Sequence, residues 1–296
     1  MMQIARILCP VDFSEHSRRA LDHAAAMARW YEARLVVLYV FVNLPAMDLP
    51  PPMLDDGLRN RLVDDVRRLA ANAPQDRLEV RVREAPFAHE EILAQAQAIR
   101  ADLVVMGSHG RSGFERLFLG SVTEKVIRKA TCPAMVVPAG APGADPEAPV
   151  RFHQIVCPVD FSSSAVSALS HAVSLAEESD AHLTVLNVLE LPPRVGEFQL
   201  PDEVNMHQLH AAAQAHALQR LRELIPADAR TYCSVETAVA EGRPYQEILR
   251  CATERKADLI VMGASGRGAL DHLVFGSNTQ HVIRAAACPV LITRSA

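Results

Sequence analysis

The chain has 296 residues, a length that suggests about two domains of roughly 150 residues each. Hydrophobic residues make up 49% of it, which excludes a disordered chain. A net charge of −5 and a pI near 6.2 leave no broad basic surface, so nucleic acid is not the expected partner.

The opening "MMQIARILCPVDF" has no long apolar region and does not read as a signal peptide. Leu35–Met47 is the longest uncharged apolar stretch, too short for a bilayer and broken by Asn43 and Pro45. A cytoplasmic protein without a membrane span is therefore expected. Cys9, Cys132, Cys157, Cys233, Cys251 and Cys288 show no CxxC spacing, and buried reduced thiols are the reading.

The elements begin with a strand, "RILCPV", followed by a helix from Glu15 to Ala33 that Ser14 can cap. "RLVVLYVFV" is a continuous apolar strand of the kind buried on both faces. After a proline-rich connection, "LRNRLVDDVRRLAANA" has helical periodicity. "RLEVRVRE" alternates, with Val80 and Val82 on one face and Glu79, Arg81 and Arg83 on the other. A helix at 89–100, a strand "ADLVVMG", a glycine loop, a helix at 121–130 and a strand "PAMVVP" complete the first half.

The second half repeats the first. "ILCPVDFS" (Ile7–Ser14) returns as "IVCPVDFS" (Ile155–Ser162), and Asp102–Val137 returns as Asp258–Thr293. Gly107, Gly110 and Gly120 match Gly263, Gly266 and Gly276, while Gly113 meets Ala269. Two tandem α/β domains follow, each a five-stranded parallel, doubly wound, Rossmann-like sheet with strand order 3-2-1-4-5. The expected boundaries are 1–138 and 150–296, joined by a Pro/Ala/Gly linker at 139–149 with nothing to bury.

In such sheets a ligand sits beyond the carboxyl ends of the strands, where strand order reverses. Asp12 and Asp160 fall just past the first strand of each copy, and Gly107 and Gly263 just past the fourth. The glycine loop is neither a Walker A loop nor a GxGxxG fingerprint, since no Gly-Lys-Ser/Thr follows. Gly120-Ser121 and Gly276-Ser277 instead open helices, whose unpaired amides and dipoles favour anions. A carboxylate at Asp12 or Asp160 suits a ribose hydroxyl or the adenine edge. The pattern places a nucleotide across the crevice.

The Cys-Pro-Val-Asp start and the spacing Gly-x2-Gly-x9-Gly-Ser resemble the universal stress proteins, in their tandem ATP-binding form. The resemblance covers essentially the whole chain. It implies an adenine nucleotide, ATP with Mg²⁺, in each copy, and a role in stress response or signalling. Pro10, Val11, Asp12, Val40, Met106, Gly107, His109, Gly110, Arg111, Gly120, Ser121 and Val122 would form the first site. Pro158, Val159, Asp160, Val188, Met262, Gly263, Ser265, Gly266, Arg267, Gly276, Ser277 and Asn278 would form the second. It further implies pairing of the two final strands, here within one chain, and admits a homodimer. "EGRPYQEIL" keeps the family's Gly-x-Pro at Gly242 and Pro244, whereas "APFAHEEIL" has Pro86 and Ala88, an altered pocket wall.

Arg111 and Arg267 can reach a terminal phosphate. His109 is matched by Ser265, which argues against a shared catalytic histidine. His207, His210 and His216 have no counterpart cluster in the first copy and read as a solvated helix face rather than metal ligands. No acid–base or nucleophile constellation recurs in both halves, so no catalytic residue is assigned. A slow ATPase or autophosphorylating enzyme, and a nucleotide-free scaffold or chaperone-like protein, are the alternatives.

Overall fold

The computed structural model describes residues 3–43, 54–110, 119–145, 147–190, 206–227, 229–266 and 276–294. The first half runs β1 (Arg6–Val11), α1 (Glu15–Trp30), β2 (Arg34–Val42), α2 (Asp56–Leu69), β3 (Leu78–Ala85), α3 (Ala88–Ala98), β4 (Leu103–Gly107), α4 (Ser121–Lys129) and β5 (Ala134–Val137). The second runs β6 (Gln154–Pro158), α5 (Ser163–Ser179), β7 (His182–Leu189), α6 (Met206–Leu224), a short α7 (Ala229–Tyr232), β8 (Ser234–Glu241), α8 (Pro244–Glu254), β9 (Leu259–Gly263), α9 (Ser277–Ala285) and β10 (Val290–Thr293).

Local chemistry sets these boundaries. Ser14 and Ser162 cap α1 and α5 by accepting the N–H of Ser17 at 3.2 Å and of Ala165 at 3.3 Å. Asp55 caps α2 through the N–H of Leu58 at 2.7 Å, so that helix begins ahead of its apolar periodicity. The helix ends use left-handed residues without glycine: Glu32 and Asp180 at φ 51° and 52°, Arg100 and Lys256 at φ 51° and 52°. Phe13 and Phe161, at φ 64° and 66°, follow the site aspartates in the same way. The repeat thus extends to backbone conformation, even where the side chains differ.

All ten strands form one sheet, ordered β3-β2-β1-β4-β5-β10-β9-β6-β7-β8. Each half has the order 3-2-1-4-5, and its strands are parallel. The halves meet where β5 and β10 pair antiparallel, Val136 opposite Val290. On one face the helices α1, α2, α5 and α6 cover a single apolar core that crosses the junction. On the other, two clusters form under α3 and α4 and under α8 and α9, with Ile127 of α4 packing into the second.

β1 pairs with β2 along its length, from Arg6↔Arg34 to Val11↔Tyr39, but with β4 only at Ile7↔Leu103 and Leu8↔Val104. β6 meets β9 only at Ile155↔Leu259 and Val156↔Ile260. Beyond those pairs the central strands part. A proline is tolerated there: the N–H of Val159 bonds Leu186 O at 2.7 Å. By the alternation of a parallel ladder, Pro158 then faces β9 beyond the last paired residue, where no bond is lost.

The linker corrects one expectation, because it does bury surface. Ala141 is 2% exposed and joins the continuous core. Arg19 of α1 donates to Ala139 O at 2.6 Å, and His23 Nε2 donates to Pro142 O at 3.0 Å. Across the halves, Tyr31 donates to Glu178 Oε2 at 2.5 Å, and Arg294 donates to Ile127 O at 2.9 Å, at the C-terminal end of α4. Small residues on α1 leave room for the linker to lie along it, and its carbonyls find donors there.

Burial holds the His23 imidazole below its ordinary value of 6.5, and the bond to Pro142 offsets this only in part. A depressed imidazole pKa contributes stability above about pH 6.5 that is lost as pH falls through the folded value. Chemical denaturation at about pH 7.5 and about pH 5 should therefore show a larger loss in the parent chain than in His23→Gln, which keeps a donor but does not titrate. Equal losses would remove His23 from the acid response.

Candidate functional site

A cavity of about 1030 Å³ opens over the carboxyl ends of β6, β7 and β9. Leu186, Val188, Ile248 and Met262 supply apolar wall, and Asp160, Ser265, Ser277, Asn278, Glu190 and Glu241 supply polar groups. Every described residue singled out from sequence in the second half lines it: Pro158, Val159, Asp160, Val188, Met262, Gly263, Ser265, Gly266, Gly276, Ser277 and Asn278. Arg267, like Arg111 in the first half, lies outside the described residues.

The aspartates are held identically in both halves. Asp12 Oδ1 accepts the Ser14 N–H at 3.0 Å and the Ser14 hydroxyl at 2.5 Å. Asp160 Oδ1 accepts the Ser162 N–H at 3.0 Å and its hydroxyl at 2.6 Å. The same serines cap α1 and α5, so carboxylate and helix start form one unit. The second carboxylate oxygen lies over the glycine loop: a Cβ on Gly110 or Gly266 would stand 2.7 Å from Asp12 Oδ2 or Asp160 Oδ2. Loop and aspartate face each other across the crevice.

The glycines divide by role. A Cβ on Gly107 would sit 2.9 Å from His16 O, and one on Gly263 2.8 Å from Ser164 C, so these two let a strand end pass against a helix backbone. Their carbonyls accept the buried hydroxyls of Thr123 at 2.8 Å and Thr279 at 3.0 Å. Gly120 and Gly276 are the N-caps of α4 and α9, and neither helix has a side-chain cap. Ser121 and Ser277 start those helices, with first-turn amides directed toward the crevice end. Among the described residues no side chain caps these first turns.

Between the halves the walls differ. His16 and His109, with rings 5.6 Å apart, stand where the second half has Ser164 and Ser265, whose hydroxyl and carbonyl bond directly. Tyr39, packed on Phe13 at 5.0 Å, stands where the second half has Asn187. Gly242 has φ +144° and donates its N–H to Leu189 O at 3.0 Å; Pro86 permits neither that φ nor that bond. The altered wall expected from "APFAHEEIL" thus has a backbone cause.

Arg220 is not singled out from sequence, and His210 and His216 read there only as a solvated helix face. Arg220 of α6 holds its guanidinium carbon 3.9 Å over the Phe161 ring, and His210 and His216 line the same wall. His216 is exposed as well, so the solvated-face reading and the cavity wall coincide for it. A helical spacing of Arg220 with His216 was the available signal, but the partner ring comes from another element. Among the described residues no group of three or more His, Cys, Asp or Glu is placed to hold a metal. Burial pushes the Cys9 and Cys157 thiols, just below the crevice, well above their ordinary range, so neither is a nucleophile near neutrality. All six cysteines are free thiols.

The model of the universal stress protein family matches residues 3–138 and 151–294. A universal stress protein of Methanocaldococcus jannaschii is 32% identical over 143 residues, 48% of this chain and 82% of its own. One from Mycobacterium tuberculosis is 27% identical over 307 residues, 97% of this chain and 96% of its own. A solved universal stress protein of Archaeoglobus fulgidus shares the fold at a TM-score of 0.66 and 21% identity, covering 98% of each chain. The chain belongs to the universal stress protein family, with the family's domain present twice.

Gly107 and Gly263 admit a direct test of packing. Alanine at either position pushes a methyl into helix backbone, and each substitution should lower the unfolding free energy by about 1–3 kcal/mol. Gly276→Ala meets only contacts of 3.4 Å and more, and should cost less. Urea denaturation of the three variants checks the order. Equal losses would contradict the division of roles.

Proposed function

We propose, with that membership as premise, that the chain binds ATP or a related adenine nucleotide, with Mg²⁺, in the crevice of each half. It acts as a nucleotide-dependent stress-response or signalling module of the cytoplasm. The two nucleotide-binding domains are 1–138 and 150–296, with 139–149 as their linker.

One observation carries this reading. In the second half a single cavity is bounded by a fixed carboxylate, Asp160, and by the glycine-led start of α9, with an apolar wall between strands and α8. These are the three chemistries of a nucleotide: hydroxyl donors of ribose, an anionic tail and a flat apolar base. Asp160 would accept from the ribose, the amides at Gly276–Asn278 would meet phosphate oxygens, and Val188 with Met262 would cover the base. A bound Mg²⁺ would neutralise phosphate charge, and the ligand's own oxygens would supply most of its coordination. In the first half Asp12, Gly110, Gly120 and Ser121 repeat the arrangement.

Backbone rather than cationic side chains would hold the phosphates. A Cβ on Gly276 makes ordinary contacts, 3.4 Å to Thr279 Oγ1 and 3.5 Å to Ala264 O, so the folded chain accepts it. In an Asp12→Ala background, Gly276→Ala should weaken ATP by about tenfold or more, roughly 1.4 kcal/mol. Arg267→Ala should cost less, because on this reading the amides carry the phosphates and side-chain charge at the loop is screened by salt. Calorimetry in which the arginine variant loses more affinity would refute the backbone cradle.

A further inference from the structure

We infer that Asn187 reads the base in the second site and selects a 6-amino over a 6-oxo purine; this rests on the nucleotide reading above. Asn187 follows Leu186 on β7 and points to the opposite face, toward α5 and α6. It is 3% exposed and lines the cavity. Its Nδ2 donates to Val159 O at 2.7 Å, which settles the orientation of the amide. Its Oδ1 is buried and has no hydrogen-bond partner. Buried side-chain acceptors are nearly always paired, so one left over at a cavity wall marks the place of a donor that the protein does not supply.

The class of donor follows from the surroundings. An amide oxygen repels phosphate, and the glycine end of the cavity already offers amides to anions. Ribose hydroxyls have the charged acceptor of Asp160. On the face of β7 that Asn187 shares, the cavity is lined by the small apolar residues Ala165 of α5 and Ala213 and Ala217 of α6, a setting for a base rather than a sugar. An adenine amino group supplies the N–H that Oδ1 lacks, whereas a 6-oxo base presents a second acceptor and is repelled. In the first half the strand register sets Tyr39 beside Val11, with its ring against Phe13, so no side-chain amide is offered there. Base selection therefore belongs to the second site.

The test compares ATP, ITP and 2′-deoxy-ATP by calorimetry on the full chain carrying Asp12→Ala, with and without Asn187→Leu. The parent should bind ATP about tenfold or more tighter than ITP, and Asn187→Leu should bring that ratio near one. If leucine unfolds the second half, Asn187→Ala serves for the same ratio. A ratio that survives the substitution means that main chain reads the base, and overturns the inference. So does a ratio near one in the parent, or discrimination lost for 2′-deoxy-ATP in place of ITP. Failure to bind ATP at all would instead overturn the nucleotide reading from which this one starts.

Discussion

The crevice exists because β1 leaves β4, and β6 leaves β9, after two paired residues. Parallel strands that stay in register would close this space with backbone hydrogen bonds. Instead each central strand turns away at a Pro-Val-Asp sequence, with proline where a missing donor costs nothing. The turn passes through a phenylalanine at positive φ, a conformation that costs on the order of 1–3 kcal/mol and persists only where the surroundings impose it. Here the serine N-cap imposes it by holding both the aspartate and the helix start. The strain thus sits beside the carboxylate of the candidate site.

Opposite that turn, the glycine loop must come close, and it does so to the limit of packing. Asp12 and Asp160 occupy the volume that a Cβ on Gly110 and Gly266 would need. Carboxylate and loop are therefore positioned by one another, and a ligand seated between them meets a frame already formed. The pairing of β5 with β10 and the core that continues under α1 and α5 fix the two frames in one sheet. Those strands, which would otherwise be exposed edges open to another chain, are satisfied internally.

Much of this was legible in the sequence, for a physical reason: it is written in contiguous residues and written twice. The alternation of strands and helices and the Asp–Gly confrontation follow from short motifs whose neighbours are local, whereas the β5–β10 pairing is implied only by the family resemblance. Contacts between distant elements were not legible. Arg19 and His23 read as ordinary helix residues until the linker carbonyls appear beside them. Asn187 reads as one polar residue in an apolar strand, and its significance lies in Val159 O on one side and an unpaired oxygen on the other. Arg220 needs the Phe161 ring, which a helical pattern does not contain.

The central claim is that the Asp-centred crevices hold an adenine nucleotide. Calorimetric titration of the full chain with ATP and Mg²⁺, beside Asp12→Ala, Asp160→Ala and the double variant, tests it most directly. The account predicts binding in the parent, loss of one class of site in each single variant, and none in the double variant, with thermal unfolding retained. Undiminished ATP affinity in the double variant would contradict it.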